Sequence, residues 1–240
     1  MTHADAPFPS KPAREKKQKK PLPLWMETIL LLVIALVLAV VIKSFFVQAF
    51  YIPSPSMEPQ FIKNDRILVE KPSYWGSGTP QRGDIVVFKD PGGWLPAEED
   101  GTPSNSLTEA LSAIGLYPAG GHLVKRVIGI GGDRVDCPGA AGPLEVNGHP
   151  LHERSYLPKG TRPCALYGAF HIRVPQGDLW VMGDNRGDSA DSRAHMGDPG
   201  GGFVPDDLVV GKVFALVWPP SRAELIHRPA DFTNLSAHQG

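Results

Sequence analysis

An apolar run near the N-terminus constrains this chain more than any other feature. Residues 29–42 contain no polar side chain. With Leu24-Trp25-Met26-Glu27-Thr28 in front, residues 24–42 form a 19-residue stretch. That is close to the ~20 residues a helix needs to cross the ~30 Å hydrocarbon layer of a membrane. The run is apolar on every face, so it does not suit an amphipathic helix lying on a soluble core. It is also longer than the apolar core of a cleavable secretory signal, and the bulky residues from Phe45 to Ile52 leave no Ala-x-Ala site after it. A transmembrane helix is therefore expected over residues 24–43. Glu27 would lie at its edge, where a flexible polar side chain reaches water, with Trp25 and Phe45-Phe46 at the two interfaces.

Charge orients this segment. Residues 11–20, before the run, hold Lys11, Arg14, Lys16, Lys17, Lys19 and Lys20, opposed only by Glu15, while Lys43 alone follows it closely. By the positive-inside rule, residues 1–23, a Pro-punctuated stretch expected to be disordered, lie in the cytoplasm and residues 44–240 outside it. Over the whole chain, 24 Lys and Arg balance 25 Asp and Glu, which gives no reason to expect a nucleic-acid partner. The two cysteines, Cys137 and Cys164, are too few for a disulfide scaffold or a zinc site. Outside the cytoplasm one disulfide between them is permitted, and the spacing leaves open whether it forms.

The remainder reads as mainly antiparallel β. The 26 glycines and 25 prolines suit a turn-rich protein. Strand patterns occur at residues 66–70, 84–88, 123–130, 134–136, 144–146, 171–174, 179–182 and 208–217, with Asn147-Gly148 as a tight-turn dipeptide. Residues 91–122, rich in Gly and Pro with a weakly helical patch at 107–114, read as a surface insertion between core strands. Residues 221–240 read as a poorly ordered tail.

Four stretches carry potential chemistry. They are Ile52-Pro53-Ser54-Pro55-Ser56-Met57-Glu58-Pro59, Gly83-Asp84-Ile85-Val86-Val87-Phe88, Lys125-Arg126-Val127-Ile128-Gly129-Ile130-Gly131-Gly132-Asp133, and Gly183-Asp184-Asn185-Arg186-Gly187-Asp188-Ser189-Ala190-Asp191-Ser192-Arg193. A Pro-stiffened loop is a good platform for a nucleophilic serine, but it is equally a plain turn. Alternation puts Lys125 with Leu123 and Val127, and Arg126 with Val124 and Ile128, so one of the two cations is expected to be directed inward. A buried Lys has its pKa lowered and becomes a usable base. The opposing reading is an edge strand guarded by Lys and Arg. The spacing of Asp184, Asp188 and Asp191 does not follow an EF-hand calcium loop, and Gly129-x-Gly131-Gly132 lacks the third glycine and the helix of a dinucleotide site.

In this order the four stretches resemble type I signal peptidase, the bacterial leader peptidase. That family's pattern runs Ser-x-Ser-Met-x-Pro, Gly-Asp-Ile-Val-x-Phe, Lys-Arg-Val-x-Gly-x-x-Gly-Asp, then Gly-Asn/Asp-Asn-x-x-x-Ser-x-Asp-Ser-Arg, and it fits from about residue 25 to 217. The resemblance implies a β catalytic domain over 44–220 with a smaller β subdomain near 136–176, in a bacterial plasma membrane. It implies that Ser56 is the nucleophile, Lys125 its general base, Ser189 the group that orients the Lys125 amine, and Ser54 with the Ser56 N–H the oxyanion donors. Asp191, Arg193, Arg126 and Asp184 would form buried ion pairs that shape the site. It implies no metal or cofactor. The implied partners are preproteins cut after small residues in Ala-x-Ala fashion, membrane lipid and nearby secretion machinery. Pro55 and Gln60-Phe61 depart from the usual residues without removing a catalytic group. Two rival readings are a self-cleaving repressor, disfavoured because no helix-turn-helix is present, and an inactive membrane-anchored β module that binds exported proteins.

Overall fold

The computed structural model describes residues 23–76, 78–95, 121–139, 142–164, 166–233 and 235. The basic segment before residue 23 and most of the insertion, including its helical patch, lie outside the described residues. Two compact units are present, residues 1–39 and 40–240.

Helix α1 runs Leu24–Phe45, a stretch free of Gly and Pro. Pro23 precedes it, and the Pro23 carbonyl accepts the N–H groups of Met26 and Glu27, which start the helix. The expected transmembrane span needs one correction. Side chains of α1 are described only to residue 40, and among the described residues no helix is long and apolar enough to cross a membrane.

Twelve strands follow among the described residues: β1 Val47–Tyr51, β2 Arg66–Glu70, β3 Ile85–Lys89, β4 His122–Ile130, β5 Arg134–Cys137, β6 Glu145–Val146, β7 His149–Pro150, β8 Phe170–Arg173, β9 Asp178–Met182, β10 Val204–Pro205, β11 Val209–Trp218 and β12 Glu224–Leu225. All pairings are antiparallel. The main sheet has the order β1-β2-β11-β3-β4-β9-β10, with β12 added beside β11. The smaller sheet, β7-β6-β5-β8, occupies residues 134–173. A disulfide joins Cys137 on β5 to Cys164, whose Cα atoms are 6.1 Å apart.

Strand β3 shows why the sheet centre is dry. Ile85 and Val87 enter one apolar cluster with Ile52, Met57 and Phe61. Val86 and Phe88 enter another with Leu123, Val127 and Val181. A strand covered on both faces carries an unbroken apolar run rather than an alternating one. Its neighbour β4 lies between β3 and β9, so the edge-strand reading of Lys125 and Arg126 does not apply.

Residues 221–233 are tied to the core rather than trailing from it. Arg222 bonds the Asp65 carboxylate, Arg228 bonds Asp84, and Phe232 is buried. Asp84 also accepts from Tyr74 and Lys212, so it braces four segments. Asp133 does the same for Arg82, the Ile130 N–H and Asn147. Aspartates from two of the four stretches thus serve the frame.

Candidate active site

The loop between β1 and β2 carries Ser56. Its two ends are held together, because the Ile52 N–H donates to the Asp65 carbonyl and the Asn64 N–H to the Ile52 carbonyl. Ile52, Met57 and Phe61 plug it into the core. Asn185, from the loop after β9, clamps it further. The Asn185 N–H donates to the Ser56 carbonyl at 3.1 Å, and its side-chain amide donates to the Pro55 carbonyl at 3.2 Å. Gly183 permits this approach, since a Cβ there would overlap the Ser56 carbonyl and the Ser189 hydroxyl.

Strand β4 supplies Lys125, and the sheet brings it to Ser56 across 69 residues of sequence. Lys125 Nζ donates to Ser56 Oγ at 2.6 Å. Both residues are buried, at 4% and 7% exposure. Burial lowers the Lys125 pKa from its ordinary value of 10.5 to about 8, against the opposing pull of Asp191 and Asp184. Desolvation wins because the nearest partner is a neutral hydroxyl, which does not compensate a cation.

Ser54 Oγ lies 3.1 Å from Ser56 Oγ. The Ser56 N–H donates to no group among the described residues. Ser189 is buried beside Gly183, but its Oγ makes no hydrogen bond to Lys125 or to any other described group.

The expected network of Asp191, Arg193, Arg126 and Asp184 resolves into two pairs. Arg126 grips Asp184 bidentately, at 2.8 and 2.6 Å, donates to the Gly83 carbonyl and lies over the Tyr156 ring. Arg193 grips Asp191 bidentately at 2.8 Å through Nε and Nη2, and its Nη1 donates to the Pro163 carbonyl. Asp191 in turn accepts the Gly183 N–H. Burial pushes its carboxyl up, but Arg193, the Gly183 N–H and Lys125 outweigh that and hold it below the usual carboxylate range. A third buried pair, Arg186 with Glu153 and Tyr156, and the clamp by Asn185 escaped the sequence reading. Asn185 and Arg186 both lie within the fourth stretch, whose density of polar residues was the available signal.

Ser56 and Lys125 lie in the wall of a cleft of about 520 Å³, otherwise lined largely by apolar side chains such as Phe50, Ile52, Trp94 and Leu123. Such a cleft suits an extended peptide with apolar side chains, and the buried pair suits acyl transfer.

Residues 25–218 match a family described as signal peptidase, peptidase S26. A probable signal peptidase I of Mycobacterium leprae is 41% identical over 232 residues, covering 85% of this chain and 79% of that protein. Signal peptidase I of Mycobacterium tuberculosis is 40% identical, covering 90% and 84%. A probable signal peptidase I-2 of Synechocystis is 36% identical over 217 residues, again covering 90% and 84%.

Proposed function

The chain belongs to the signal peptidase family, peptidase S26, serine peptidases that remove signal peptides, and from that premise we propose that Ser56 and Lys125 are its nucleophile and general base. The observation that carries this reading is the 2.6 Å contact between a buried Lys125 with a lowered pKa and Ser56 Oγ. Near pH 7, with a pKa of about 8, roughly a tenth of Lys125 is neutral. The neutral amine takes the Ser56 proton as Oγ attacks the carbonyl after a small residue. The new oxyanion is met by the unengaged Ser56 N–H and the Ser54 hydroxyl. The Lys125 ammonium returns the proton to the leaving amine, which departs with the mature protein. Water, deprotonated by the same Lys125, then releases the signal peptide from the ester. Ser189 Oγ, which has no described hydrogen-bond partner, is assigned to orient the amine during these transfers.

Asp184, Arg126, Asp191 and Arg193 support the site by fixing the strand and loop that carry its parts. The substrates are preproteins of Ala-x-Ala type. Helix α1 is assigned as a single-pass anchor in a bacterial plasma membrane, N-terminus cytoplasmic, with lipid and the secretion machinery as neighbours. Its 22 residues amount to about 33 Å of helix, and its described apolar side chains are exposed on all faces. Ser56 follows Ile42 by 14 residues, at most about 45–50 Å of extended chain, which keeps the cut near the outer surface. The reading as an inactive module has no support among relatives named as peptidases.

The test is cleavage of a purified preprotein. Ser56→Ala and Lys125→Ala are each expected to lose about 10³-fold or more in kcat/KM with the fold intact by circular dichroism. Full activity in either variant rejects the dyad.

A further inference from the structure

The first residues of the insertion between β3 and β4 are held with unusual firmness for a loop. The Asp90 carboxylate accepts three backbone N–H groups, from Gly92 at 2.8 Å and from Trp94 and Leu95 at 3.0 Å each. This curls the chain back and sets the Trp94 indole into the core, where it is 7% exposed. The ring meets Phe88 edge-on, with centroids 5.9 Å apart, and stacks on His195 at 4.3 Å and 7°. His195 is itself fixed, its Nδ1 lying 2.6 Å from an Asp198 oxygen. The same Trp94, with Leu95 and Leu123, lines the cleft that contains Ser56 and Lys125. Trp94 shares an apolar cluster with Leu123. Leu123 and Lys125 lie on one face of β4, two residues or roughly 7 Å apart. The indole therefore belongs to the wall of the same cleft as the base.

We infer that Trp94 is a specificity-determining residue of the peptidase reaction, a fixed wall that limits the side chain a substrate can place before the cut. This rests on the reading of Ser56 and Lys125 as the dyad. An apolar pocket excludes a larger group only if its wall does not yield. The Trp94 backbone is pinned by Asp90, one face of the ring is covered by His195, and Phe88 packs against it. Swinging the ring aside would break these contacts together. The discrimination comes from sterics: where the pocket is full, an added methylene or two changes kcat/KM by about 10–200-fold.

The experiment compares preproteins that differ only in carrying Ala or Leu at the first or the third position before the cut. They are offered to the wild type, Trp94→Phe, Trp94→Leu, Trp94→Ala and Ser56→Ala. The readout is the Leu-to-Ala ratio of kcat/KM, which cancels the fraction of enzyme that is folded. At one of the two positions the ratio is expected to rise with the volume removed, by about tenfold or more in Trp94→Ala and less in Trp94→Phe. A ratio unchanged at both positions in all three Trp94 variants overturns the inference, and with Ser56→Ala inert the dyad still stands. Cleavage by Ser56→Ala would instead remove the dyad on which the inference rests.

Discussion

Lys125 and Arg126 are neighbours on β4, both buried and directed to opposite faces of the strand. On one face the cation meets a hydroxyl, Ser56 Oγ. On the other it meets the Asp184 carboxylate bidentately, a carbonyl and an aromatic ring. Burial works against the charge on both. For Lys125 it wins, and the pKa falls to about 8. For Arg126 the charge and hydrogen bonds of Asp184 outweigh it, and the guanidinium is held above its ordinary value. Burial by itself therefore does not make a base. A base results where the fold withholds the counter-ion, and a brace where the fold supplies one.

Replacing each cation by Met is the sharpest way to break this contrast. Arg126→Met strands the Asp184 carboxylate in the core, and we expect a loss of about 3–5 kcal/mol in unfolding free energy by denaturant titration. Lys125→Met should abolish processing yet stabilise the protein by about 1–3 kcal/mol. A fall in pKa from 10.5 to about 8 corresponds to roughly 3 kcal/mol of unfavourable burial at neutral pH. The sign follows from proton binding. Between about 8 and 10.5 the unfolded chain holds a proton that the folded chain has released, so Lys125 makes wild-type stability rise with pH across that window. The Met variant should lack this rise. Destabilisation by both substitutions would erase the distinction between the two faces.

A smaller effect sharpens the comparison further. The neutral fraction of Lys125 falls about tenfold per pH unit below its pKa, so kcat/KM should drop with that slope on the acid side of about pH 8. An acid limb centred near the ordinary lysine value would mean that the site does not desolvate the amine.

Much of the fold was legible locally. β2 matches its expected range, and β3, β4, β5, β8, β9 and β11 fall within a residue or two of theirs, because their apolar runs are bounded by turn residues. β1 lies just after the apolar run and has no strand reading of its own in the sequence, and β10 and β12, at two residues each, are too short to show a period. The anchoring of residues 221–233 is not legible in the sequence, because Arg222, Arg228 and Phe232 are single residues whose partners are distant along the chain.

The sequence by itself determined the apolar N-terminal helix, the antiparallel strands and the four stretches in which Ser56, Lys125 and their neighbours lie. Each depends on composition and period within a few residues. Tertiary structure alone decided that both cations of β4 are buried, since coverage of both sheet faces is not written in one strand. It also decided which cation gets a carboxylate, that Cys137 pairs with Cys164, and that Trp94 borders the cleft. Those outcomes depend on groups tens of residues apart meeting at hydrogen-bond distance, and only strand pairing and core packing set such distances.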